Sequence, residues 1–336
     1  MTPKYSIILP VRNGGQYLKE CINSILNQTL PDFTLHVLDN ASTDGTTEWL
    51  QSLSDKRILL YPSEKSLSIE ENWSRITSIP KNEFITLIGH DDLLGPDYLE
   101  IMDALISKHP TATLYQTHFH YIDSKGKIIR ACKPMDEVQS ASEFTAFFLS
   151  SMIDTMGTGF MMRATDYDAV GGIPPYYPNL LFADFELFIN LSKPGYKATA
   201  FDYGFSFRLH QSTTTTSSDI RFHAAYAKFI EYLSGLKNES ASFAAVIDRY
   251  ALDFLSYYCK GLAHRLLRTP SSKRDGKSVR YFIELTKQYA NKLVPGKPFD
   301  PEDLFSVKLA RRIDDNALSR SLFLLFKKVR SKPVLK

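Results

Sequence analysis

The stretch Phe84-Ile85-Thr86-Leu87-Ile88-Gly89-His90-Asp91-Asp92-Leu93-Leu94-Gly95-Pro96 decides the fold. Its first five residues are apolar or β-branched and end abruptly in a glycine, a histidine and two carboxylates. A short apolar run bounded by turn residues predicts a buried strand of a parallel sheet. The carboxyl end of such a strand is where open α/β sheets hold their ligands. Adjacent aspartates placed there repel each other and lose hydration. A divalent cation removes both penalties, because hard carboxylate oxygens suit Mg²⁺ or Mn²⁺. Asp91 and Asp92 are therefore candidate metal ligands. The plainer alternative, that they decorate the turn before the next helix, is weakened because Pro96 and Asp97 already supply helix-start chemistry.

The flanking sequence repeats the strand-to-helix pattern. Tyr5–Pro10 is a compact apolar run followed by the turn Arg12-Asn13-Gly14-Gly15. Leu18, Cys21, Ile22, Ile25 and Leu26 then fall at helical spacing, and Pro31 stops that helix. Phe33–Leu38 predicts a second strand, ending in Asp39-Asn40-Ala41-Ser42-Thr43-Asp44-Gly45. A helix carrying Trp49, Leu50 and Leu53, a strand over Arg57–Tyr61 and a helix over Ile69–Ile79 follow. Beyond Pro96, Tyr98, Leu99, Ile101, Met102 and Leu105 line an exit helix. Strands alternating with helices in this way predict a parallel, doubly wound sheet.

After His109-Pro110 the period changes. Thr113–Ile122 alternates as a strand, and Ser124-Lys125-Gly126-Lys127 predicts a hairpin returning through Ile128 and Ile129. Ala141–Met152 reads as helix, Gly157–Arg163 as strand and Leu180–Leu191 as a helix containing Asp184 and Glu186. Ala198–Phe201 and Phe205–Leu209 read as two strands, and from Ile220 onward the chain reads as almost wholly helical. Stripes at Tyr226, Phe229, Ile230, Leu233 and at Tyr250, Phe254, Tyr257, Tyr258, Leu262 would form its core. The expected division is a first domain over 1–215 and a helical region over 216–336.

Composition bounds the function. A chain of 336 residues, 43% hydrophobic and 23% charged, is an ordinary globular protein. A net charge of +3 gives no ground for nucleic acid binding. Cys21, Cys132 and Cys259 are far apart, with no CxxC or His pairing, which argues against a disulfide framework or a zinc site. A strand entered within a few residues of Met1 leaves no signal peptide, and no apolar run nears the ~20 residues of a membrane span. Cytoplasm is the expected location.

Five segments together resemble a family 2 glycosyltransferase of the GT-A fold. They are SIILPVRNGGQYLKECINSILNQTL (Ser6–Leu30), HVLDNASTDGT (His36–Thr46), IGHDDLLGPDYLE (Ile88–Glu100), VGGIPPYYPNLLFADFELFINL around Asp184, and FRLH (Phe207–His210). The resemblance implies a Rossmann-like, doubly wound mixed sheet with a mainly helical C-terminal region. It implies an enzyme that moves a sugar from a nucleotide-sugar, a UDP-sugar being favoured, to an acceptor hydroxyl with inversion. The implied acceptor is a glycan or lipid-linked acceptor of bacterial-type surface polysaccharide assembly.

The resemblance also assigns roles. Asp91 and Asp92 match the metal motif, with Gly89 where its longer form has a leading Asp, and a bound Mn²⁺ or Mg²⁺ would stabilise the leaving diphosphate. Asp39 matches the nucleobase contact, with Asn40 and Asp44 nearby and Ser42 or Thr43 as helix cap. Pro10, Arg12 and Asn13 would wall the nucleotide site. Asp184 matches the second residue of the family's acidic pair and would be the base, Ala183 standing where the Glu would be. Glu186 is the fallback, two helix positions away and pointing elsewhere. Arg208 and His210 alternate on one strand and so would face the same side; the resemblance to the family's RxH segment implies that both lie near the donor phosphates, His210 also as a metal contact. Two other readings remain open: a non-catalytic scaffold subunit, suggested by Gly89 and Ala183, and a sugar nucleotidyltransferase, which would want a more basic loop than Val11–Gly15. The tail, with Leu322-Phe323-Leu324-Leu325-Phe326 followed by Lys327, Lys328, Arg330 and Lys332, fits either peripheral membrane contact or a core-docking last helix.

Overall fold

The computed structural model describes residues 3–154, 156–209 and 221–330, the last three by backbone only. The chain divides into two compact units, Met1–Phe144 with Ile153–Leu209, and Thr145–Met152 with His210–Lys336.

The first unit is built on one sheet of strands β1 (Tyr5–Val11), β2 (Phe33–Asp39), β3 (Ile58–Leu60), β4 (Phe84–Leu87), β5 (Leu93–Leu94), β6 (Leu114–Ile122), β7 (Ile128–Ala131), β8 (Val138–Gln139), β9 (Phe160–Arg163) and β10 (Lys197–Arg208). Their order is β3-β2-β1-β4-β9-β6-β10-β5, with β7 beside β6 and β8 beside β10. The pairs β1–β2, β1–β4, β2–β3 and β6–β10 are parallel. Strand β9 runs antiparallel between β4 and β6, which makes the sheet mixed. Strand order reverses at β1, which lies between β2 and β4. The crevice at such a reversal, beyond the carboxyl ends of the strands, is the usual ligand position. Here it is bounded by Val11, Asp39 and the residues after Leu87.

Burial explains why these runs are strands. Every residue of β1 and β4 is buried, as a strand covered on both faces requires. Helix α1 (Gly15–Leu26) covers the sheet with Leu18, Cys21, Ile22 and Ile25, the face its spacing predicts. Fully burying each such aliphatic chain contributes about 1.5–3 kcal/mol. The exit helix Tyr98–Lys108 buries Tyr98, whose hydroxyl bonds Thr86 at 3.0 Å and the Gly159 carbonyl at 3.3 Å.

Several boundaries differ from the sequence expectation for local reasons. The expected strands Ala198–Phe201 and Phe205–Leu209 are parts of one strand, β10, which ends at Arg208 and whose register against β6 slips between Ala200 and Tyr203 and again before Phe205. That irregularity breaks the alternation a sequence reading relies on. The helix containing Asp184 starts at Ala183 rather than Leu180, because Asn179, Leu180 and Phe182 have left-handed backbone. Strand β9 starts at Phe160 rather than Gly157, residues 157–159 lying outside it. Ile69–Ser74 is α-helical behind a Ser68–Glu71 capping box, then tightens to a 3₁₀ turn over Arg75–Ser78. Asp97 caps the exit helix by position but makes no side-chain cap bond.

The second unit is helical: Arg221–Glu239, Ala241–Arg268, Val279–Leu293, Phe305–Asp314 and Ala317–Arg330. Tyr226 lies at its centre, its ring 5.8 Å from Phe254, 5.6 Å from Tyr258 and 5.8 Å from Tyr289. Tyr257, expected in the same stripe, is exposed. Phe148 explains why Thr145–Met152 belongs here, since its ring packs 5.6 Å from Phe229 and 5.7 Å from Phe254. The buried pair Arg274–Asp314, at 2.7 Å, ties the last helices to the bundle.

Candidate active site

The loops leaving β1 and β2 are bound to each other. Asn13 has left-handed backbone (φ 53°), donates its N–H to Ser42 Oγ at 2.9 Å and accepts the Thr43 N–H on Oδ1 at 2.8 Å. The Gly14 and Gly15 N–H groups donate to Thr46 Oγ1 (3.1 Å) and Asp44 Oδ2 (3.2 Å). The helix after β2 therefore starts differently from the sequence expectation. Gly45 is its N-cap, Asp44 Oδ1 accepts the Thr46 N–H at 3.1 Å, and Ser42 and Thr43 serve the loop instead.

Asp39 ends β2 fully buried. Ser42 donates to its Oδ1 at 2.5 Å and Thr47 to its Oδ2 at 2.6 Å. Asn40 clasps Leu67, donating to its carbonyl at 3.0 Å and accepting its N–H at 2.7 Å. Pro10 is buried in β1 opposite Leu38. Arg12 stands exposed on the loop, with no hydrogen bond or ion pair to any described residue.

The acidic turn after β4 is packed around Gly89. Asp91 Oδ1 and Asp92 Oδ2 lie 2.8 and 3.1 Å from where a Cβ on Gly89 would sit. The missing side chain is what lets both carboxylates converge there. Asp92 is 2% exposed; its Oδ2 accepts from Thr158 Oγ1 at 2.7 Å and its Oδ1 from the Arg208 N–H at 3.0 Å. Burial, and then the neighbouring charge of Asp91, push its carboxyl well above the ordinary carboxylate range.

Arg208 is built into the base of this turn. Its side chain is fully buried, with Nε on the Asp91 carbonyl at 2.8 Å, Nη2 on Glu20 at 2.7 Å and the guanidinium 4.6 Å from the Tyr17 ring centre. One residue thus fixes Asp91 through its carbonyl and Asp92 through its carboxylate. Its donors are committed to protein groups, so it positions the acids rather than reaching outward. His210, its expected companion, lies outside the described residues.

A divalent ion fits this donor set in part. Mg²⁺ commonly takes one or two carboxylates and fills its shell with water and substrate phosphate oxygens. Asp91 and Asp92 supply two hard oxygens near one point. Among the described residues no group of three or more His, Cys, Asp or Glu is arranged to hold a metal. The remaining ligands would have to come from a bound diphosphate and water.

Asp184 sits in the first turn of its helix. It keeps a partial opening to solvent, yet surrounding protein raises its carboxyl from 3.8 to about 7, against backbone N–H bonds from Phe185 and Asp184 itself. Its Oδ2 lies 3.1 Å from where a Cβ on Gly157 would be. The next residue, Thr158, is the one bonded to Asp92. Consecutive residues therefore touch the two acids, although these are 92 positions apart in sequence. Glu186 faces elsewhere, buried and bonded by the hydroxyls of Tyr176 and Tyr177. Thr158 and Glu20 escaped the sequence reading. The small-residue run Gly157-Thr158-Gly159 was the available signal for the first, and nothing local marks the second.

These elements coincide with a known sequence family. The profile of glycosyl transferase family 2 matches residues 6–171. The glycosyltransferase GlyG of Streptococcus pneumoniae is 25% identical over 128 residues, 38% of this chain and 42% of that protein. The chondroitin synthase of Escherichia coli is 30% identical over 129 residues, 38% of this chain and 19% of that one. The chain thus covers under half the length of these relatives. Among solved structures, S. aureus TarS superposes with a TM-score of 0.61 at 13% identity, over 92% of this chain and 55% of that one. Its residues 1–349, in complex with UDP-GlcNAc, give 0.56 at 16% identity, over 98% and 93%. That likeness speaks for the GT-A fold. The matched span holds both loops, the acidic turn and Thr158, and residues 6–171 are a glycosyl transferase family 2 domain.

Proposed function

We propose that this protein transfers a sugar from a nucleotide diphosphate sugar, of the UDP class, to a glycan hydroxyl with inversion at the anomeric carbon. The observation that supports this reading is that Asp184 Oδ2 lies 3.1 Å from where a Cβ on Gly157 would sit while the next residue, Thr158, bonds Asp92, with the Asp184 carboxyl raised to about 7. A general base works best with a pKa near the operating pH, which Asp184 has. Asp184 would take the acceptor hydroxyl proton as that oxygen bonds the anomeric carbon. The bond to the diphosphate breaks on the opposite face, its electron pair leaving with the nucleotide.

Asp91, with Asp92 behind it, would hold Mn²⁺ or Mg²⁺ against the diphosphate. When bound, that ion supplies Lewis-acid stabilisation of the departing charge. Arg208, Thr158 and Gly89 keep the two carboxylates aimed. Asp39 would meet the nucleobase at the mouth of β2 while Ser42 and Thr47 orient its oxygens, and exposed Arg12 would add positive charge beside the phosphates. TarS, seen with UDP-GlcNAc and with UDP, supports the donor class.

Thermal unfolding with UDP-, GDP- and dTDP-sugars, with and without Mn²⁺, tests the binding half. A bound donor should raise the melting temperature by mass action, and Asp91→Asn should remove the Mn²⁺-dependent part. Donor hydrolysis tests the chemistry: Asp184→Asn should keep the donor-induced shift and lose turnover. No shift with any sugar nucleotide, or turnover indifferent to both substitutions, overturns the proposal.

A further inference from the structure

The last helix, Ala317–Arg330, has two sides of different character. Arg320 anchors it to the bundle, donating through Nη1 to Ser271 Oγ at 2.6 Å and through Nη2 to the Thr269 carbonyl at 2.8 Å. At 100° per residue, Leu318, Leu322, Leu325 and Phe326 form one stripe, roughly half a turn from Arg320. They are exposed at 70%, 58%, 60% and 50%. The preceding helix adds Phe305 and Leu309, also exposed. Scattered apolar surface is ordinary, but a stripe aligned on one helix face marks an interaction site.

Charge identifies the partner. The sequence has no acidic residue after Asp315, while Arg320, Lys327, Lys328 and Arg330 lie on this helix. Burial, and after it the charges of Lys327, Arg268 and Lys260, disfavour protonation of His264, so cations also stand where this helix meets the bundle. No helix among the described residues is long and apolar enough to cross a membrane. An apolar stripe on a helix whose only charged residues are cations, too short and too polar to span a bilayer, suits the plane of an anionic lipid surface.

We propose that the helix Ala317–Arg330 is a docking face for anionic phospholipid, its leucines entering the acyl boundary and its cations meeting phosphate headgroups. This does not depend on the catalytic reading above. Co-sedimentation of the full chain with vesicles tests it, using phosphatidylcholine alone and equal parts phosphatidylcholine and phosphatidylglycerol. The wild type should sediment with the anionic vesicles only, and salt should release it. Leu322→Glu/Phe326→Glu should weaken binding at least tenfold by removing burial, and Lys327→Glu/Lys328→Glu should do so by removing charge. Unchanged far-UV circular dichroism and an unchanged urea unfolding midpoint would show that both variants are folded. Failure of the wild type to bind anionic vesicles, equal binding to both compositions, or binding unaffected by the stripe variant overturns the proposal. So does a wild-type dimer in solution that Leu322→Glu/Phe326→Glu dissociates while no lipid is bound, since the stripe would then belong to a second copy.

Discussion

Replacing Asp184 by Asn should make the protein inactive and, above neutral pH, more stable. Asp184 titrates at about 7 in the folded chain against 3.8 for an ordinary aspartate. Each tenfold change in proton affinity is about 1.4 kcal/mol, so ionising this group in the fold costs roughly 4 kcal/mol. Its partial opening to solvent lowers the expectation to about 2–4 kcal/mol. The sign follows from proton counting. Between 3.8 and about 7 the folded state binds the proton and the unfolded state has released it, so stability falls as pH rises through that window.

Asn is neutral at every pH and nearly the same shape. Urea unfolding at about pH 8 should therefore find Asp184→Asn more stable by about 2–4 kcal/mol, while near pH 4 the difference should shrink below about 1 kcal/mol. Turnover by the wild type should rise with pH through about 7 as the base ionises, and the variant should lose about 10²–10⁴-fold at all pH values. A variant no more stable than wild type at pH 8, or a stability difference independent of pH, would refute the strained-carboxylate account. Full activity in the variant would refute Asp184 as base.

Substitutions at three further positions probe the acidic turn. Gly89→Asp, which writes in the leading acid of the longer family motif, places a Cβ 2.8 Å from Asp91 Oδ1 and 3.1 Å from Asp92 Oδ2. It should weaken Mn²⁺-dependent donor binding, measured calorimetrically, by tenfold or more. Thr158→Val leaves the buried Asp92 carboxylate one donor short, which should cost about 1–3 kcal/mol in urea unfolding, while Thr158→Ser should recover most of it. Arg208→Met leaves part-exposed Glu20 without its buried partner and frees the Asp91 carbonyl. It should lower both stability, by about 2–3 kcal/mol after allowing for half-exposed Glu20, and kcat; a change in donor KM alone would instead indicate direct phosphate contact.

The parallel half of the fold was legible because its strands are short apolar runs ending in turn chemistry, and burial on both faces leaves that signature in consecutive residues. Tyr5–Val11, Phe33–Asp39 and Phe84–Leu87 stand within a residue of their expected limits. Strand β10 looks like two strands in sequence because an irregular register interrupts alternation while the ladder with β6 continues. The sequence starts the helix containing Asp184 too early because left-handed residues such as Leu180 and Phe182 carry no sequence mark of that conformation.

For the site, sequence alone determined which acids stand at strand ends, since Asp39, Asp91 and Asp92 each interrupt an apolar run where the sheet stops. Tertiary structure alone decided what those acids can do. Asp92 is held by Thr158 and by the Arg208 backbone, Arg208 is spent on Glu20 188 positions away, and Asp184 titrates near neutrality only because distant segments close around it. Residue type and local spacing fix whether a group can ionise or ligate. Its pKa, its aim and its partners are set by dielectric surroundings and hydrogen bonds that only the folded chain assembles.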